Sequence, residues 1–301
     1  MLLTAACGGD NAPTGPTLHS SLQAFATAPS VRMTGTVTYS GSSYGIDLMV
    51  DSRRRASGSI TTSSGTVQIQ DDGDVVYMQG RDYFGKLLKF PVFDRWVKYP
   101  AAPVANVALQ VTDRAAMARS LEAAAGKSVK SKAATASGVR TTALSSPSVT
   151  VQVAGSRPVQ IDTLPGMQAG PDISQVSLWL SAYGSPVEVT VPTKFVDSAD
   201  SGTWPPYFVW QGQGFGYEGC DSNGCTMKAT LENYGGKGEG AASVHFLVRD
   251  RGDGHEVSGC DAPFPATDSN ATITVSCRVN WDRSAGSPPL DGTFVIHNPT
   301  S

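Results

Sequence analysis

The chain has 301 residues, 40% of them hydrophobic but only 16% charged, and carries a formal net charge of −3. The apolar fraction is enough for two ordinary domains, and the sparse, slightly acidic charge excludes the dense basic face that nucleic acid demands. No run of about 18 apolar residues is present, which excludes a membrane-crossing helix.

Met1 to Asp10 read MLLTAACGGD, and Asn11 to Thr17 read NAPTGPT, polar and turn-rich as a flexible tether should be. Leu3-Thr4-Ala5-Ala6-Cys7 resembles a lipobox, the small-residue cleavage site before a cysteine that becomes diacylated. The resemblance implies lipidation of Cys7 and a membrane anchor through its acyl chains, each buried CH₂ contributing ~0.8 kcal/mol. Six residues precede Cys7, none of them basic, so the full export signal is expected upstream of Met1. Residues 1–16 are therefore expected to be lipobox and tether.

A first folded domain is expected over 17–196. Leu18, Leu22 and Phe25 have helical spacing, with Pro29 to stop the helix. The period then changes to two. Met33, Gly35, Val37 and Tyr39 alternate with threonines, and Ile46, Leu48 and Val50 follow. Ile60, then Val67 and Ile69, then Val75 and Tyr77 continue the pattern between Ser/Gly/Asp turn clusters. The spacing predicts a β-meander of at least five strands. The run Arg53-Arg54-Arg55 reads as a solvated strand edge. Phe93 to Tyr99 predicts a further strand. Asp113 to Ala125 predicts a helix, with Asp113 as N-cap and Gly126 as C-cap. Strands are expected over 138–144, 149–154, 159–163, 173–180 and 187–191.

The order helix, meander, helix, meander resembles the LolA/LolB-like fold, and in particular the LppX/LprG-type actinobacterial lipoproteins. The residues that carry the likeness are VRMTGTVTY, IDLMV, ASGSITTSSGTVQIQDDGDVVYMQG, RWVKYP and the closing VSLWLSAYGSPVEVTVP. Within the last segment Tyr183, Gly184, Pro186, Val187, Val189 and Pro192 match the family pattern. The resemblance implies a curved antiparallel half-barrel wrapping two helices, with an apolar cavity for a lipid or lipidated molecule. Such binding runs on buried area and needs no polar motif. The expected cavity residues are Val37, Ile46, Leu48, Ile60, Ile69, Met78, Trp96, Met117, Leu121 and Trp179. A solid core requires the same apolar pattern, so the sequence alone leaves carrier and solid module both open.

Residues 197–206 (DSADSGTWPP) read as a linker. Residues 207–301 show about seven short predicted strands, which suggest an Ig-like β-sandwich with an envelope protein as its partner. Cys220, Cys225, Cys260 and Cys277 allow three pairings; Cys220–Cys225 and Cys260–Cys277 are favoured. Their spacing is poor for zinc, and disulfides suit an extracytoplasmic setting. The scattered histidines, the Asp250/Asp253/His255 turn and the Asp71-Asp72-Gly73-Asp74 hairpin read as solvated turns. No G-x-S-x-G, H-E-x-x-H or P-loop is present. The expectation is a lipid-anchored extracytoplasmic carrier without enzymatic activity, cofactor or metal. The alternative is a surface adhesion or assembly module touching protein or wall polymer.

Overall fold

The structure, a computed structural model, describes residues 15–87, 95–237, 242–281 and 290–299. Strands make up 52% of the chain, and among the described residues the sheets are antiparallel with no closed barrel, so the chain is mainly β. Two compact units divide at Lys194 and Phe195.

Unit 1 opens with α1 (Leu18–Thr27), capped by Thr17, whose side chain accepts from the Ser20 amide at 3.1 Å. The meander follows as β1 (Ser30–Tyr39), β2 (Ser42–Asp51), β3 (Ala56–Thr62), β4 (Gly65–Asp71) and β5 (Val76–Gln79). Next come α2 (Arg81–Leu87), β6 (Trp96–Lys98), α3 (Pro103–Thr112) and α4 (Arg114–Ala125). Strands β7 (Lys130–Ala136), β8 (Val139–Ser145), β9 (Val149–Ala154), β10 (Arg157–Thr163) and β11 (Ile173–Ser181) complete it. Within the unit the sheet runs β6-β5-β4-β3-β2-β1-β11-β10-β9-β8-β7. The last strand, β11, returns to pair with the first, β1, which joins two meanders into one open sheet.

Three sequence expectations change. Among the described residues unit 1 holds four helices where two were expected. Pro103 at the first helical position starts α3, whose Val and Ala residues carry no obvious period break from a strand. Residues 187–191 lie outside any strand; there the Thr190 amide donates to Gln70 Oε1 at 3.0 Å. The Arg53–Arg55 run sits in the β2–β3 turn inside the sheet order, not on an edge, and Asp51 accepts from the Arg55 Nε at 2.8 Å.

Pairing register places one apolar row after another on the same face. Val97, Met78, Ile69, Gly58, Leu48, Met33 and Leu180 oppose each other in turn across seven strands. Helix α3 packs on β3, β4 and β5, α4 on β9, and α1 on β10 and α4. The glycines Gly35 and Gly58 face this layer at φ 143° and 149°. A Cβ there would strike the backbone carbonyls of Ser177 and Asp47. Glycine is required because neighbouring strands approach too closely for a side chain, as where a sheet is kinked.

Unit 2 starts with β12 (Phe195–Asp197) and a 3-10 turn at Ser201–Thr203. The expected linker is thus an ordered turn, in which the Trp204 indole donates to the Asp197 carbonyl at 2.7 Å. Two three-stranded sheets follow. One is β13 (Phe208–Asp221), β14 (Gly224–Asn233) and β17 (Thr272–Asn280), in that order. The other is β16 (Glu256–Phe264), β15 (Ala242–Asp250) and β18 (Leu290–His297). They share a core built on Phe208, Met227, Leu231, Val244 and Phe246. Two expected strands, around Phe208–Trp210 and Phe215–Glu218, are one strand with a register shift between Trp210 and Phe215.

Candidate functional site

The covered inner face of unit 1 is the candidate site. Alternation along β1–β5 turns Val37, Ile46, Leu48, Ile60, Ile69 and Met78 to this face, and the 3.6-residue period of α4 adds Met117 and Leu121. All of them are at most 4% exposed. Burying each such side chain contributes about 1.5–3 kcal/mol, so this layer is also the main source of the unit's stability.

The remaining two expected residues sit elsewhere. Trp96 is half-buried, and Val97 takes the inward position of β6. Trp179 is 38% exposed on the opposite face, between the buried Leu178 and Leu180. Leu178 opposes Gly35 and Leu180 opposes Met33, so they hold the place expected of the tryptophan. Cys7 lies outside the described residues.

Two buried polar groups bear on this layer: Arg114, which the sequence reading passed over, and Asp71, which it placed in a solvated turn but which is buried. Arg114, 3% exposed, opens α4. Its Nη1 donates to the Phe25 carbonyl at 3.0 Å and its Nη2 to the Ala28 carbonyl at 2.7 Å. The cation thereby satisfies orphan carbonyls at the C-terminal end of α1, where the helix dipole favours positive charge. Burial pulls its pKa down. The available signal was an arginine in the first turn of a helix, against the dipole. Asp71, 1% exposed, lies between Ala56 and Val76 on the inner face. One carboxylate oxygen accepts from the Gly73 amide at 2.9 Å, and Oδ2 has no hydrogen-bond partner. Burial pushes this carboxyl up to about 6.

A groove of ≈ 620 Å³ runs along the other side of α4. Ala116, Ser120 and Ala123 form one wall, and Met167 and Gly170 of the β10–β11 connection form the other, with Arg119 also lining it. Helix α4 therefore has the apolar interior on one side and open space on the other.

In unit 2 the favoured pairings are present as disulfides, Cys220–Cys225 and Cys260–Cys277. The second joins β16 to β17, which belong to different sheets, so it closes one flank of the unit. The opposite flank, between edge strands β13 and β18, holds a cleft of ≈ 620 Å³ lined by Phe208, Trp210, Phe215, Phe294 and Ile296. Trp210 packs edge-on against Phe294 with ring centroids 5.7 Å apart, yet stays 43% exposed. On the outer side His245 contacts Asp261 at 2.8 Å and Glu256 at 3.3 Å, and the Asp261 hydrogen bond raises its pKa. Disulfides place the folded chain outside the reducing cytoplasm. No helix among the described residues is long and apolar enough to cross a membrane.

Comparison with protein-family models, with curated proteins and with solved structures finds no match for this chain.

Proposed function

We propose that the chain is an extracytoplasmic, non-catalytic carrier of LolA/LppX type, whose first unit takes the acyl chain of a lipid or lipidated molecule between its sheet and helices. On this reading Cys7 carries the membrane anchor. The observation that carries the reading is the apolar row crossing seven strands, with α3 packed on three of them. An acyl chain needs only such a surface, since each methylene leaving water contributes ~0.8 kcal/mol.

Entry follows from the placement of α4. Its interior residues Met117 and Leu121 leave the sheet if the helix moves outward, and the groove behind Ala116, Ser120 and Ala123 gives it room. Arg114 pins only its first turn. The described structure is then the closed form, with its interior side chains in contact.

The second reading, a solid surface module, is favoured by that near-complete burial. Native mass spectrometry of detergent-free protein, together with N-phenyl-naphthylamine fluorescence, separates the two. The carrier reading expects a co-purifying lipid mass and dye uptake that Leu121→Arg removes while circular dichroism is retained. A bare polypeptide mass with no dye uptake overturns it and leaves the solid module.

A further inference from the structure

The outer face of the unit 1 sheet carries a row of side chains that its fold does not require. Across six adjacent strands Gln68, Ser59, Asp47, Thr34, Trp179 and Gln160 stand directly opposite one another. With strands ~4.8 Å apart, the row spans about 24 Å. None of these residues is buried. Five of them offer amide, hydroxyl or carboxylate groups, and the sixth is an exposed indole in their midst.

The chemistry of the row is neutral. Asp47 is the one charged member, and Arg32 meets it with both Nε and Nη2 at 2.9 Å. Gln160 is held in place from two sides: it accepts from Gln152 Nε2 at 2.9 Å and donates to Asp162 at 2.7 Å. A shallow cleft of ≈ 470 Å³ opens on the same face, lined by Arg32, Asp47, Met49, Ser57, Ser59 and Gln68. It lies beside Thr34, the cross-strand neighbour of Trp179.

We infer that this face is a binding track for a linear neutral polysaccharide, with Trp179 as the stacking platform and Thr34, Asp47 and Gln160 as flanking hydrogen-bond partners. Sugar hydroxyls both donate and accept, as amides and hydroxyls do. The C–H face of a pyranose ring matches a flat apolar indole with polar groups at its sides. A protein partner would call for an apolar centre of several aromatic or aliphatic residues, and here one tryptophan stands among polar neighbours. Nucleic acid would call for free cations, and Arg32 is committed to Asp47. The inference does not depend on what the interior holds.

Native affinity electrophoresis of the full chain in gels containing dextran, hydroxyethylcellulose or glycol chitin tests it. At least one polysaccharide is expected to retard the protein. Trp179→Ala should weaken that retardation roughly tenfold, Trp179→Phe should restore part of it, and Gln160→Ala should reduce it. Trp210→Ala, on unit 2, should leave it unchanged. Because Trp179 is on the surface, near-ultraviolet circular dichroism of the variants is expected to stay native-like, and the phenylalanine variant guards against a folding defect. Absence of retardation in all three gels, or equal retardation of Trp179→Ala and the parent, overturns the inference; the latter result assigns the binding to another surface.

Discussion

Arg114 and Phe25 are joined twice: Nη1 donates to the Phe25 carbonyl at 3.0 Å, and the guanidinium lies over the Phe25 ring, 6.0 Å from its centroid. Together with the bond to Ala28, this ties the start of α4 to the end of α1. Arg114→Met leaves two buried carbonyls without their donor. Loss of a charged, buried hydrogen-bonding partner costs roughly 3 kcal/mol. Urea denaturation should show a lower midpoint for unit 1, and Arg114→Lys should recover only part, because an ammonium cannot reproduce the planar fork. An unchanged midpoint in Arg114→Met would show that packing alone docks the two helices.

Asp71 makes unit 1 less stable as pH rises. Its folded pKa, about 6, lies above its ordinary value of 3.8. A raised carboxyl contributes its stability fully below pH 3.8 and loses it as pH climbs through about 6. Asp71→Asn should therefore flatten the melting temperature between pH 4 and 7 and raise stability at pH 7.5 by on the order of 2 kcal/mol. Thermal melts across that range check it; parallel curves for parent and variant count against it.

Gly58 is expected to be intolerant of substitution. At φ 149° a Cβ would run into the Asp47 carbonyl of the neighbouring strand. Gly58→Ala should cost more than 2 kcal/mol by the combined clash and backbone strain (typical of ~1–3 kcal/mol for strain alone). Gly155→Ala, at a turn where a Cβ meets nothing within 4 Å, should cost less, and chemical denaturation compares the pair.

The two disulfides should differ in weight. Cys260–Cys277 closes a loop with a sequence separation of 17 and Cys220–Cys225 one of 5. Chain-entropy scaling assigns about 3 and about 2 kcal/mol respectively. The Cys260→Ala/Cys277→Ala variant also loses the tie between the two sheets. It should melt earlier than Cys220→Ala/Cys225→Ala, with the loss confined to the transition of unit 2 in calorimetry.

His245 should titrate above its ordinary 6.5 because Asp261 and Glu256 hold the protonated ring. The sign follows: this contribution is complete below pH 6.5 and fades as pH passes the raised value. Proton NMR of the His245 ring is the measurement, and Asp261→Asn should bring the midpoint down. A midpoint unmoved by that change would mean the carboxylate is too well solvated to matter.

Local physics is what the sequence could express. Period-two alternation set β1 to β4, and Asp113 with Gly126 bracketed α4, because side-chain direction and capping are decided within a few residues; in β5 the expected Val75 and Tyr77 gave way to Val76 and Met78 as the inward pair. The cysteine spacing likewise carried both pairings. Long-range contact settled the rest. Leu178-Trp179-Leu180 places three apolar residues in succession, and only pairing with Met33 and Gly35 turned the leucines inward and the tryptophan out. Arg114 stands against the helix dipole in sequence, but its partner is fixed only when α1 arrives, 86 residues away along the chain, to offer the Ala28 carbonyl. The polar row through Trp179 exists because register lines up residues from separate hairpins, and register across strands distant in sequence is a property of the assembled sheet.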